Sequence, residues 1–144
     1  MKKIIMFFLV IFALVFLIGK VKAVTYINNC SELDTSGEIY KLTQDINVSA
    51  SDLDSRICMQ VDPVDNIILD CQNHILNSYY SDEAGDAVSG NWNNIYNFTL
   101  KNCYLSEWRR AINLGYENNG NCMNCTFINV TTNNLPYSDS YQPN

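Results

Sequence analysis

Basic residues are scarce in this chain. Nine lysines and arginines stand against fifteen acids, and four of the nine (Lys2, Lys3, Lys20 and Lys22) fall in the first 23 positions. The remainder carries five basic against fifteen acidic side chains, a formal charge of −10. That balance argues against a nucleic-acid partner, because a phosphate backbone demands a basic footprint. Histidine is rarer still, with His74 alone. The Cys122-x-x-Cys125 pair therefore has neither a histidine pair nor a second cysteine pair at zinc-finger spacing. Tight-hairpin dipeptides are also missing apart from Asn119-Gly120, which disfavours a ladder of hairpins. No run of adjacent aspartates occurs, and no long apolar run follows Ile18.

The apolar run that is present starts directly behind Met1-Lys2-Lys3 and extends from Ile4 to Ile18. As a helix it would reach about 22 Å, short of the roughly 30 Å hydrocarbon core. With Val21-Lys22-Ala23 behind it, residues 1–23 have the anatomy of a secretory signal peptide. Lys20 and Lys22 beside the cut also allow an uncleaved anchor. Either way Val24 onward lies outside the cytoplasm, secreted or at the cell surface, and the membrane is met only through this segment.

All six cysteines follow the leader: Cys30, Cys58, Cys71, Cys103, Cys122 and Cys125. An even number in an exported chain reads first as disulfides, and sequence does not choose among the 15 pairings. Zinc at Cys122 and Cys125, or stacked reduced thiols at Cys71, Cys103 and Cys125, are the competing readings.

Three stretches repeat one phrase. Asn66-Ile67-Ile68-Leu69-Asp70-Cys71, Asn97-Phe98-Thr99-Leu100-Lys101-Asn102-Cys103 and Asn121-Cys122-Met123-Asn124-Cys125 each close a β-prone run with Asp or Asn and then Cys. A second apolar step follows each, at Ile75-Leu76, Leu105 and Phe127-Ile128. Cycle starts near residues 57, 87 and 111 imply stacked supersecondary units. Twenty asparagines recur at the turns, among them Asn66, Asn73, Asn97, Asn102, Asn121, Asn124 and Asn129. Asparagine tolerates left-handed backbone, and amides stacked at equal turns can bond to one another. Ahead of the repeats, Ser31 is placed to cap a short helix containing Leu33 that Gly37 ends, and Glu38 to Ile46 reads as one strand. The organisation expected is a leader (1–23), an N-terminal helix/strand cap (24–56), about three coils (57–132) and a polar tail (133–144).

The run Cys58…Ile68-Leu69-Asp70-Cys71-Gln72-Asn73-His74-Ile75, followed by Asn97 to Leu105, resembles right-handed parallel β-helix proteins of the pectin-lyase-like and NosD-like kind. It is most similar to a secreted archaeal Cys/Asn-rich variety, whose early phrase is matched by Gly37-Glu38-Ile39-Tyr40, Leu42 and Asp45-Ile46. Asn73 stands where that phrase has Gly. The resemblance spans roughly residues 27–130 and implies an all-β, single-stranded right-handed parallel β-helix. It says little about activity, since the fold hosts lyases, hydrolases, adhesins and binding modules. Such helices usually have more coils, which points to edge-to-edge association or to further C-terminal coils.

No catalytic cluster is legible. Asp62 and Asp65 flank a proline turn and could offer oxygens to Ca²⁺, but no cofactor is required. Asp82, Glu83 and Asp86 form an acidic loop, and Glu107-Trp108-Arg109-Arg110 is the most distinctive charged cluster, able to hold an acidic sugar. His74 reads as a turn-filling residue. Trp92, Tyr96, Tyr104, Trp108 and Tyr116 are spread over the later coils, and sugars stack on exposed aromatic faces. The ligand-binding candidates are thus Trp92, Tyr96, Tyr104, Trp108, Arg109 and Arg110. Five sequons, at Asn29, Asn47, Asn97, Asn124 and Asn129, are candidate glycan acceptors.

The function expected is a structural or carbohydrate-binding module without catalysis, its partner a polysaccharide or a cell-surface glycan. The alternative is a polysaccharide lyase or hydrolase, or part of one, using the acidic loop with Arg109 and Arg110. A NosD-like metal-handling protein with sulfur ligands is a further alternative.

Overall fold

The computed structural model describes residues 22–49, 53, 56–62, 65–79, 85–90, 94–115 and 121–133. Among them lie thirteen strands and no helix. The first four are β1 (Val24–Ile27), β2 (Ser31–Leu33), β3 (Ile39–Leu42) and β4 (Ile46–Val48). The next three are β5 (Ile57–Val61), β6 (Ile68–Asp70) and β7 (Ile75–Ser78). Then come β8 (Asp86–Gly90), β9 (Ile95–Tyr96) and β10 (Thr99–Ser106). The last are β11 (Arg110–Asn113), β12 (Cys122–Met123) and β13 (Thr126–Asn133).

Every strand pairing among the described residues is parallel. In the largest sheet β1, β3, β6, β10 and β13 lie side by side, and β4 and β7 lead to the second half of β10. A second sheet runs β2, β5, β8, β11, and a third pairs β9 with β12. Parallel neighbours cannot be joined by a tight turn. Between β3 and its partner β6 the chain passes through β4 and β5, and it does the equivalent in each later repeat. Five successive tiers result, begun by β1, β3, β6, β10 and β13.

The pleat sends alternate side chains to opposite faces, and parallel register puts like positions on top of one another. One inward column reads Tyr40, Leu69, Leu100, and another Ile46, Leu76, Leu105. In the second sheet Met59 stands beside Val88, and Leu33 beside Val61. All ten side chains are buried. The core is therefore a set of apolar columns contributed one residue per tier.

The corners are equally regular. Gly37, Asn66, Asn97 and Asn124 each precede the first residue of a strand by a fixed step, two positions before Ile39, Ile68, Thr99 and Thr126. All four have positive φ, at 80°, 65°, 55° and 56°. Gln72, Asn73, Asn102 and Asn129 do the same at the next bend. The expected amide ladders form: Asn97 Nδ2 donates to Asn66 Oδ1 (3.1 Å), and Asn129 Nδ2 donates to Asn102 Oδ1 (3.2 Å). Asn102 Nδ2 in turn donates to Asp70 Oδ1 (3.0 Å), and Asn77 Nδ2 to Asn47 Oδ1 (3.3 Å).

Three local expectations are corrected. Residues 31–33 are strand rather than helix. Ser31, Glu32 and Leu33 lie in register with Met59, Gln60 and Val61, and Leu33 is fully buried there. So short a helix has little intrinsic stability, and tertiary pairing overrides its capping signal. Glu38 to Ile46 is broken into β3 and β4, whereas β10 runs as one strand from the repeated phrase through the apolar step at Leu105. The stretch read as a cap supplies β1 to β4, and three of these strands pair with β5, β6 and β7 as the later repeats pair with each other. The leader to residue 21, the tail 134–144, Trp92, Tyr116, Asp82 and Glu83 lie outside the described residues.

All six cysteines form disulfides: Cys30–Cys58, Cys71–Cys103 and Cys122–Cys125. The first two join adjacent tiers across 28 and 32 residues, and the third closes a corner across 3. Chain-entropy arithmetic gives each long loop about 3–4 kcal/mol and the short one about 2 kcal/mol. We therefore expect the double variant Cys71→Ser/Cys103→Ser to lower the urea midpoint more than Cys122→Ser/Cys125→Ser does.

Gly85 packs directly against the backbone of the preceding tier. A Cβ there would lie 1.5 Å from the Arg56 carbonyl oxygen, which already accepts the Asp86 N–H at 2.8 Å. Gly85→Ala should therefore destabilise by about 1–3 kcal/mol in the same urea titration.

Candidate functional site

The outward face of the largest sheet carries a row of side chains set by the same register. Tyr26, Lys41, Asp70, Lys101 and Ile128 are successive partners on β1, β3, β6, β10 and β13. Tyr26 and Ile128 are exposed, Lys41 and Lys101 are half-buried, and Asp70 is 7% exposed. Adjacent strands lie about 4.8 Å apart, so the row is a ladder of side chains across the sheet. Beside it run Ile75, Tyr104 and Thr131, with Tyr104 49% exposed. Asn47, Asn77, Ser106 and Asn133 continue the face in polar groups.

Asp70 is the anchor of the row. Lys101 Nζ lies 3.1 Å from Asp70 Oδ2, while Asn102 Nδ2 and the Gln72 N–H donate to Oδ1 at 3.0 and 3.1 Å. Burial alone would raise this carboxyl. The hydrogen bonds from Asn102, Lys101 and Gln72, with the lysine charge, outweigh it and hold the group below its ordinary range. Asp45 also titrates low, chiefly because the Ile75 N–H donates to it, and His74 Nδ1 lies 3.0 Å from the same oxygen. His74 thus sits at a turn, tied to the preceding tier.

The second sheet holds a different cluster. Asp86 and Arg110 are direct register partners on β8 and β11. Arg110 Nε donates to Asp86 Oδ1 at 2.7 Å, and Asn113 Nδ2 to Oδ2 at 2.6 Å. Asp86 is almost wholly buried. Both carboxylate oxygens are engaged, which leaves no lone oxygen aimed at a substrate.

The sequence-derived candidates do not converge on one face. Trp108 is fully buried, with its indole N–H donating to the Leu76 carbonyl (2.9 Å), so its ring offers no face to a sugar. The ring is apolar enough for the core, and a backbone acceptor satisfies its one polar atom. Tyr96 belongs to β9 and is partly exposed, Tyr104 to β10, and Arg110 to β11, each in a different sheet. Arg109 is exposed in the bend before β11. Among the sequons, the Asn97 and Asn129 amides donate within the ladders, Asn47 Oδ1 accepts from Asn77, and Asn29 lends its backbone carbonyl to Ser31 Oγ. Asn124 is exposed at its corner. Asp62 Oδ1 accepts from Gln60 Nε2 (3.3 Å). With every cysteine oxidised, the sulfur-ligand and reduced-thiol readings do not describe this state.

The row from Tyr26 to Ile128 was missed because no single phrase contains it. Aligning Ile68-Leu69-Asp70 on Thr99-Leu100-Lys101 places Asp70 beside Lys101, which is the one signal present in the sequence. Comparison with protein-family models, with curated proteins and with solved structures found no match for the chain.

A carboxyl lowered by folding stabilises the fold above the unfolded carboxyl's pKa of about 3.9, and the contribution fades as pH falls through the lower folded value. We expect the denaturation midpoint of the unaltered chain to drop more steeply below about pH 3.9 than that of Asp70→Asn. Parallel acid profiles would remove Asp70 from the account. Asp70→Ala, which strands Asn102 and Lys101, should cost about 1–3 kcal/mol at neutral pH.

Proposed function

We propose that the chain is a right-handed parallel β-helix of the pectin-lyase-like and NosD-like kind, exported or held at the cell surface. Its role is structural or carbohydrate-binding, without catalysis. Parallel pairing throughout the described residues, the cyclic strand order and the asparagine ladders support the architecture. Three disulfides point to an oxidising compartment.

The observation that carries the binding role is the outward row and its neighbour. Tyr26 and Tyr104 offer apolar ring faces, while Lys41, Lys101, Asn77 and Ser106 offer donors at strand spacing. A sugar has an apolar C–H face and a polar rim, and such a surface meets both. Two of the five basic residues beyond the leader stand in this one row. The Asp86–Arg110 pair is engaged internally, which weighs against catalysis by that cluster.

The test uses the chain from Val24 against neutral and acidic polysaccharides, scoring retained protein and released oligosaccharide together. Retention without release is expected, with Tyr26→Ala or Tyr104→Ala weakening it by about tenfold, as loss of one stacking ring would. Released oligosaccharide would replace this reading with a lyase or hydrolase.

A further inference from the structure

We propose that the outer edge of β13 pairs with the same edge of a second copy of this chain, antiparallel and across a two-fold axis. β13 is eight residues long and hydrogen-bonds to β10 on one side. Among the described residues nothing pairs with its other side. Natural sheets blunt such edges with charge, proline, bulges or short strands. From Asn121 to Asn133 the sequence has no charged residue, no proline and no glycine. Within β13 itself, Asn129 is the one left-handed residue.

The side chains of the last tier are left as though another layer were due. Phe127 continues the column of Tyr40, Leu69 and Leu100, all buried, yet is itself 49% exposed. Ile128 and Met123 are exposed nearby. Asn129 donates to Asn102, and no donor among the described residues meets its own Oδ1. At the end of the neighbouring sheet, by contrast, Ala111 on β11 and Leu114 just after it are buried. Among the described residues of this end, the exposed large apolar side chains are Met123, Phe127 and Ile128, on β12 and β13.

Charge decides the occupant. Two copies of an acidic chain repel one another over most of their surfaces. The stretch Asn121–Asn133 holds none of the fifteen acids, so there two copies can approach without that repulsion. A basic partner would gain nothing from a strand that has no carboxylate to offer. Two-fold pairing also uses the free edge completely, whereas head-to-tail stacking through β13 and β1 would expose a new edge with each addition. In the antiparallel pair, Phe127 of each copy comes against the Phe127–Thr132 face of the other, and the Asn129 oxygens gain donors.

Sedimentation velocity of the full chain across a hundredfold range of concentration tests this. A monomer–dimer equilibrium is expected. Phe127→Asp should weaken it at least tenfold while leaving the thermal midpoint of the dilute protein nearly unchanged, since Phe127 is already half exposed in one copy. Tyr26→Asp, on the opposite edge strand β1, should leave the dimer intact. Should Phe127→Asp fail to fold, amide exchange of the unaltered chain substitutes: Thr126–Asn133 should gain protection with concentration, and β1 should not. A monomer throughout overturns the proposal. So do oligomers that grow beyond two, or a dimer broken by Tyr26→Asp.

Discussion

The constraint on which this structure depends is the left-handed backbone at its corners. A strand can lie on its predecessor only if the chain bends at the same point in every tier. Gly37, Asn66, Asn97 and Asn124 supply that bend with positive φ. Most side chains resist this region; glycine and asparagine enter it at low cost. Once the corners agree, the rest follows. Leu69 falls on Leu100, Leu76 on Leu105, and the Asn66 and Asn97 amides meet.

The same regularity explains how acidic and basic side chains are accommodated. Parallel register makes neighbours of residues about thirty positions apart, so one substitution in a repeat places a lysine against a carboxylate. Lys101 beside Asp70 and Arg110 beside Asp86 both arise this way. Each carboxylate is also held by an asparagine, Asn102 or Asn113, which satisfies lone pairs that burial would otherwise leave bare. The two pairs lie at similar depth, and what sets the row apart is the exposed Tyr26 and Ile128 that flank it.

Much of the architecture was legible because the repeat carries its own punctuation. Asparagine followed by a short apolar run and cysteine marks a corner and the strand after it, and β6 and β10 fall where that phrase puts them, whereas the third copy, Asn121–Cys125, is displaced: Cys122 stands on Ile95, and Asn124 takes the corner before β13. The details that failed share one cause: they depend on what lies in the next tier. Ser31-Glu32-Leu33 looks like a capped turn of helix until Met59–Val61 is set beside it. Trp108 looks like a surface ring until the Leu76 carbonyl is found beneath it. The cysteine pairing was unreadable because the bends differ in length. Ile68 stands on Thr99, 31 positions on, but Ile75 stands on Tyr104, only 29 on. Four residues, from Cys71 to His74, fill the bend where the later tier uses two, Asn102 and Cys103. The candidate surface was the least legible, since its side chains come from five separate strands.

The two long disulfides carry a consequence for survival among proteases. Cys30–Cys58 and Cys71–Cys103 each tie one tier to the next. A single backbone cut anywhere from residue 31 to 57, or from 72 to 102, yields two pieces that remain covalently joined. The hydrogen-bonded strands on either side of such a nick are then held at high effective concentration, and the cut ends have no route to separate. The stretch between the two bridges, from residue 59 to 70, has no such covalent safeguard. There the chain relies on β5 and β6, whose backbones are paired on both sides. Residues 104–121 and those beyond Cys125 are likewise spanned by no bridge, so the covalent safeguard covers the earlier tiers and not the last ones.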